Sequence, residues 1–269
     1  MSEATAGLFE RYGPWALVVG GSEGVGAAFA EQLARAGLGI VLVARKPAPL
    51  GETADRVRAH GVPCRMLALD LLDADATARI VEAVADLDLG LLVLNAGANT
   101  YRSRFVEANL ARIQAVIDLN VTRPLELCRE LGARLAARGR GGILVVGSSA
   151  GYLGHADIGV YAAAKAFTRI FTEGLWLELR QVGVDVLHLV LGLTATPAMA
   201  RAGLDLTGAA DPADVAAEGL AALGAGPVHV VRQQAEVAAR RSGPDRAALV
   251  AGNQGGMRAM LGGPGPDPS

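Results

Sequence analysis

Tyr161 and Lys165 stand four residues apart in the run Tyr161-Ala162-Ala163-Ala164-Lys165. On a helix, that spacing puts both side chains on one face, a single turn apart. A tyrosine phenol is a poor acid near neutrality, with an ordinary pKa of about 10. A neighbouring ammonium stabilises the phenolate and eases proton exchange, which is the work of a general acid or base. The same spacing also describes an exposed helix face that does nothing, so the pair alone decides little. Two hydroxyls precede it, Ser148 and Ser149, in Val145-Val146-Gly147-Ser148-Ser149-Ala150-Gly151 at the end of a short apolar run.

Those residues need elements to position them. Apolar runs at Trp15–Val19, Ile40–Val43, Arg65–Leu69, Leu91–Leu94, Ile143–Val146, Val184–Leu191 and Val228–Val231 read as strands. Helical patterns fall at about Gly24–Ala36, Thr53–His60, Ala74–Ala85, Val106–Arg138, Ile158–Gln181 and Asp211–Leu223. Pro124 predicts a kink in the long fourth pattern. Asp211 suits an N-cap with Pro212 at the first helical position. Strands apolar on both faces and joined by helices imply an α/β fold with a parallel sheet of about seven strands, covered on both sides. The 269 residues suit one large domain over 1–261, followed by a Gly- and Pro-rich tail, 262–269, expected to be disordered. Aromatics are only 4%, so Ala, Val, Leu and Ile must build the core.

The first strand runs into Val19-Gly20-Gly21-Ser22-Glu23-Gly24-Val25-Gly26. Glycines at a strand-to-helix turn let backbone approach a pyrophosphate, and the helix N-terminus offers unpaired N–H groups to it. A tight turn without a ligand would look the same. Its spacing is not the G-x-G-x-x-G of other dinucleotide folds.

Together these segments resemble the short-chain dehydrogenase/reductase family. The glycine turn is similar to that family's G-x-x-x-G-x-G, Asn95-Ala96-Gly97 to its N-A-G turn, and Gly147–Lys165 to its catalytic segment. Asn120, in Asp118-Leu119-Asn120-Val121, matches the family's helix Asn, which by the resemblance bends that helix and holds a water linked to the Lys. Thr196 keeps its place in the segment P-G-x-x-x-T. The resemblance covers about residues 13–230 and implies a doubly wound, Rossmann-type sheet. It also implies a catalytic set of Ser148, Tyr161, Lys165 and Asn120, the family spacing favouring Ser148 over Ser149. Cofactor contacts are implied at Gly20, Ser22, Glu23, Gly24, Val25, Gly26, Asp70, Leu71, Asn95, Ala96, Gly97, Thr194 and Thr196, besides Tyr161 and Lys165. Two departures stand out: Val19 replaces the usual Thr that braces the turn, and Leu191 replaces Pro. Asp70 reads equally as an adenine contact or a helix cap.

The second strand ends in Ala44-Arg45-Lys46. An acid there would bind a ribose 2′-hydroxyl, whereas Arg45 suits a 2′-phosphate. The expected cofactor is therefore NADP rather than NAD, though Glu23, if close by, weighs slightly against it. Lys165 is expected to hold the nicotinamide ribose and keep Tyr161 acidic.

The balance of 25 Lys plus Arg against 27 Asp plus Glu shows no basic stripe, which argues against a nucleic-acid partner. No apolar run is long enough for a bilayer, and Met1–Tyr12 has no signal core, so a cytoplasmic, membrane-free protein is expected. Cys64 and Cys128 lack neighbours at metal-ligand spacing and read as reduced thiols, with no metal site. His155 lies between Ser148 and Tyr161, where it could touch substrate, but reads rather as a loop histidine without catalytic role, and His60, His188 and His229 as structural or exposed.

The expected activity is a ketoreductase-type exchange of carbonyl and secondary alcohol on a hydrophobic small molecule. An epimerase with the same residues, or a non-catalytic nucleotide-binding regulator, are the rivals. By the resemblance, the helices at about 106–137 and 158–181 pack on their copies, giving a homodimer or homotetramer.

Overall fold

Valine, isoleucine and leucine runs become strands where both faces can be covered. A computed structural model describes residues 7–98, 101–245 and 249 of the chain. The strands are β1 (Trp15–Val19), β2 (Gly39–Ala44), β3 (Cys64–Ala68), β4 (Leu89–Leu94), β5 (Gly141–Val146), β6 (Val184–Val190) and β7 (Val228–Val230). They form one parallel sheet in the order β3-β2-β1-β4-β5-β6-β7. The order reverses between β1 and β4, and in such a sheet ligands bind past the carboxyl ends of the strands at that point.

Helices α1 (Leu8–Tyr12), α2 (Gly24–Arg35), α3 (Pro47–Arg58), α4 (Ala76–Ala83), α5 (Leu110–Ile117), α6 (Arg123–Arg138), α7 (Gly159–Leu179), α8 (Pro197–Arg201), α9 (Pro212–Ala222) and α10 (Ala235–Arg241) surround the sheet. Successive residues of β1 serve opposite layers, as strand pleating requires. Val18 joins Phe29, Leu33, Leu50 and Leu220 under α2, α3 and α9, while Leu17 joins Ile80, Leu127 and Leu131 under α4 and α6. Burying a side chain such as Phe29, which is fully covered, contributes roughly 1.5–3 kcal/mol. Asp211 caps α9 as expected, accepting from Ala213 N at 2.7 Å. Among the described residues no helix is long and apolar enough to cross a membrane.

Two helices differ from the sequence reading. The helix expected at Thr53–His60 begins at Pro47, because a proline at the first turn loses no hydrogen bond there. The long pattern at 106–138 is not one helix kinked at Pro124. It divides into α5 and α6 around a π-turn, Asp118–Thr122, and Pro124 sits harmlessly in the first turn of α6. The tail 262–269 lies outside the described residues.

Candidate active site

The glycine turn is built by backbone. Gly20 and Gly24 have φ of +89° and +56°, where a side chain is strained. A Cβ on Gly20 would stand 2.6 Å from Ala96 N, and one on Gly26 would strike the Gly20 carbonyl and lie 2.6 Å from Asn95 Nδ2. Val19 leaves no gap in the brace. Asn95 N and Ala96 N both donate to Val19 O, at 2.9 and 2.8 Å, and Asn95 Nδ2 donates to Gly20 O at 2.8 Å. Ser22 is held from behind by its carbonyl, which accepts from the buried Thr53 Oγ1 at 3.0 Å. Glu23 is the N-cap of α2 but makes no side-chain cap bond, so the first N–H groups of α2 have no capping side chain. The side chains of Val25 and Leu71 are buried in the core.

Charge gathers around this turn. Arg45 and Asp70 pair at 3.6 Å, and Asp70 Oδ1 also accepts from Leu72 N at 3.1 Å. Asp70 is thus no helix cap: the residue before α4 is Asp75, and Asp70 closes a local turn instead. Glu23 does not pair with Arg45, because it is taken by Arg201 of α8. Thr196 caps α8, accepting from Met199 N at 3.3 Å, and its methyl group packs against Gly24. Thr194 is buried, and its hydroxyl donates to Gly192 O at 3.3 Å.

The other group of residues lies at the carboxyl end of β5. Ser148 leads into a 3-10 turn, Ser149–Tyr152, and its Oγ accepts from Ala150 N at 3.1 Å. Helix α7 brings up Tyr161, whose hydroxyl shares a hydrogen bond with Ser148. Ser149 is buried, and its N–H goes to Leu191 O at 2.7 Å. One turn past Tyr161, Lys165 is 4% exposed and donates to Val146 O at 3.1 Å.

Burial dominates the electrostatics. It lowers the Lys165 ammonium to about 8 and raises the Tyr161 phenol, which only the Ser148 hydrogen bond moves the other way. Lys165 is not among the groups that shift the Tyr161 phenol in the protein by itself. The ammonium lies 5.8 Å from the Tyr161 ring centroid and spends its hydrogen bond on Val146. His188 on β6 is buried nearby and pushed down to about 3, first by burial and then by Lys165 and Arg169. Cys128 is buried, its thiol pushed up to about 12, while Cys64 is half-buried.

Asn120 sits in the π-turn. Its Nδ2 donates to Val116 O at 2.9 Å and Ala98 O at 3.3 Å, whereas its buried Oδ1 has no hydrogen-bond partner among the described residues. A Cβ on Gly97 would stand 2.8 Å from that Oδ1 and 3.0 Å from Lys165 Nζ. Asn95-Ala96-Gly97 thus touches both groups, with Gly20 at one end and Asn120 and Lys165 at the other.

The comparisons agree with this arrangement. The sequence model described as short chain dehydrogenase matches residues 14–206. The chain belongs to that family. It is 32% identical over 189 residues to a 7β-hydroxysteroid dehydrogenase from Clostridium sardiniense, covering 70% of this chain and 72% of that one. A solved structure from work on 7β-hydroxysteroid dehydrogenase stereoselectivity superposes with a TM-score of 0.84 at 27% identity, over 91% of this chain and 98% of the other. A short-chain dehydrogenase from Sphingobium yanoikuyae, in complex with NADPH, gives 0.76 at 29% identity over 94% and 99%. This protein is an NAD(P)-dependent oxidoreductase of the family, acting on a small molecule.

Several residues of the site escaped the sequence reading. Arg123 gives Nε to Leu71 O at 2.6 Å and Nη2 to Asp73 O at 2.9 Å, fixing the loop that carries Asp70. Arg201 holds Glu23, and Gln234 covers Gly192. Nothing in the local sequence marked these residues, because each acts on a partner far away in the chain.

Proposed function

We infer that this dehydrogenase interconverts a carbonyl and a secondary alcohol on a hydrophobic small molecule, with NADP(H) as the preferred cofactor. The reading rests on the hydrogen-bonded pair Ser148–Tyr161 with Lys165 buried one turn beyond it. A substrate oxygen set against Ser148 Oγ and Tyr161 Oη would accept from both. Tyr161 delivers its proton to that oxygen in reduction and takes it back in oxidation, and Ser148 steadies the charge developing there. The raised Tyr161 phenol keeps its proton at neutral pH, as a donor must.

The positive-φ glycines, the uncapped start of α2 and the unpaired Asn120 Oδ1 suit a dinucleotide lying across the carboxyl ends of β1 and β4. Gly20, Ser22, Glu23, Gly24, Val25 and Gly26 would face its pyrophosphate, and Asp70 and Leu71 its adenine. Asn95, Ala96 and Gly97 would pass beside the adenosine ribose, with Thr194 and Thr196 toward the nicotinamide. The nicotinamide, when bound, supplies or accepts the hydride. Lys165 would hold the nicotinamide ribose hydroxyls, and Asn120 Oδ1 would hold a water that resupplies the proton through Lys165. Arg45, exposed at the end of β2 with Ala44 in place of an acid, favours a 2′-phosphate. The likeness to a hydroxysteroid dehydrogenase and to an NADPH complex supports both finer choices. The whole catalytic unit is read as one domain over 1–261.

Tyr161→Phe keeps the ring and removes the proton donor. In a screen of hydroxysteroids and bulky ketones that follows NADPH absorbance, turnover should fall roughly 10²–10⁴-fold with NADPH binding retained. Near-normal turnover would sink the mechanism. Phe167, Ile170 and Leu177 of α7 are 45%, 58% and 56% exposed, which supports pairing of this face with a second copy. Sedimentation at micromolar concentration should give at least a dimer, and an active monomer would exclude the pairing.

A further inference from the structure

The matched family segment stops at residue 206, and α10 lies beyond it. This short helix ends in Arg240-Arg241, and basic residues are favourable at a helix C-terminus. Arg241 is partly buried, and its Nη1 donates to the carbonyl oxygen of Ser149 at 2.8 Å. Burial lowers the guanidinium, and His155, in the loop that Ser148 begins, is lowered first by its own burial and then by the Arg241 charge. The segment is held in place on its other side by Gln234, whose side chain occupies the space a Cβ on Gly192 would need.

The Ser149 carbonyl and the Ala150 N–H belong to one planar peptide unit. Its oxygen accepts from Arg241, and its N–H donates to Ser148 Oγ at 3.1 Å. Ser148 in turn shares a hydrogen bond with Tyr161. Arg241 is thus linked to the reacting hydroxyls through a single rigid group. A cation on the oxygen of a peptide draws density from it and strengthens its N–H as a donor. An oxygen that accepts a stronger hydrogen bond becomes a better donor through its own O–H. The second peptide group at this turn is also fixed, since Ser149 N donates to Leu191 O at 2.7 Å.

We propose that Arg241 is a positioning residue for catalysis: through the Ser149–Ala150 peptide it orients and polarises the Ser148 hydroxyl, so that α10 completes the active site from outside the matched family segment. The proposal rests on the assignment of Ser148 and Tyr161 above. The bond of Arg241 is to the Ser149 carbonyl rather than to Ser148 or Tyr161, so on this proposal its effect passes through Ser148.

A double-mutant cycle tests this on the full chain, with NADPH and whichever ketone the screen yields. Arg241→Ala should lower kcat about tenfold, leave the NADPH dissociation constant within about twofold, and be largely rescued by Arg241→Lys. In a Ser148→Ala background the same change should cost almost nothing further, because the group it acts on is gone. Equal losses in both backgrounds would mean that Arg241 merely supports the fold, and would overturn the proposal, as would an unchanged kcat in Arg241→Ala. If Arg241→Ala does not fold, Arg241→Gln carries the same cycle. Wild-type turnover in Ser148→Ala or Tyr161→Phe would overturn the site assignment itself and this proposal with it. Lost turnover in those two beside a silent Arg241→Ala would overturn the proposal alone.

Discussion

The two ends of the site are made of different material. Around the glycine turn the charged groups are open to water: the side chains of Arg45 and Asp70 are 66% and 33% exposed, and those of Arg201 and Glu23 are 53% and 28%. Around Tyr161 the polar groups are sealed: Lys165 is 4% exposed, Asn120 1% and His188 1%. Exposed ion pairs contribute little to stability, because water screens them and two long side chains must be held still. Buried polar groups are costly unless partnered, and their proton affinities move far. The glycine-turn end can therefore exchange partners cheaply when a ligand arrives. The chemical end is preorganised at the expense of stability, as expected where function and folding compete.

Lys165→Met should break this contrast most visibly. Activity should disappear. The Lys165 ammonium is lowered from 10.5 in the unfolded chain to about 8 in the fold. Below pH 8 both states bind the proton and the cost of the buried charge is fully present. Between pH 8 and 10.5 the unfolded chain binds more protons, so stability rises with pH in that window. The methionine variant should therefore melt higher than wild type at pH 7, by an amount corresponding to a few kcal/mol at most. That gain should shrink from pH 8 to 10.5. A lower Tm at pH 7 would show that the hydrogen bond to Val146 outweighs the burial of charge.

A smaller effect is expected at the open end. Arg45→Ala should weaken NADPH binding about tenfold, the worth of one charge-assisted contact, and change NADH binding much less. Its Tm should stay within about 1 °C of wild type, because the Arg45–Asp70 pair is exposed. Equal weakening of both cofactors would remove Arg45 from the 2′-phosphate, and a wild-type preference for NADH would remove the phosphate altogether.

Much of the scaffold is legible in the order of residues along the chain. Seven runs of β-branched and leucine residues became seven strands, and the Gly20–Gly26 turn fell between the first strand and its helix. These features depend on neighbours in the chain: a glycine needed for positive φ, a proline tolerated only at a helix start, a tyrosine and lysine one helical turn apart. Local rules failed where the outcome depended on a distant partner. The local proline rule put the break at Pro124, whereas the irregularity falls at Asp118–Thr122, where the family resemblance put a bend at Asn120, packed beside Gly97 and Lys165. Nothing in Glu23 pointed to Arg201, 178 residues away.

The sequence by itself determined the sheet, the glycine turn and the helix face that pairs Tyr161 with Lys165, since each is encoded within a few residues by backbone sterics and hydrophobic periodicity. Only the tertiary structure decided which charges meet and which are buried. Lys165 is displaced from its ordinary pKa because α7 lies against β6 and the turn after β5, and Arg241 reaches Ser149 across 92 residues because α10 packs on that same turn. Burial and long-range contact are properties of the packed chain, and they set the proton chemistry that the motif alone leaves open.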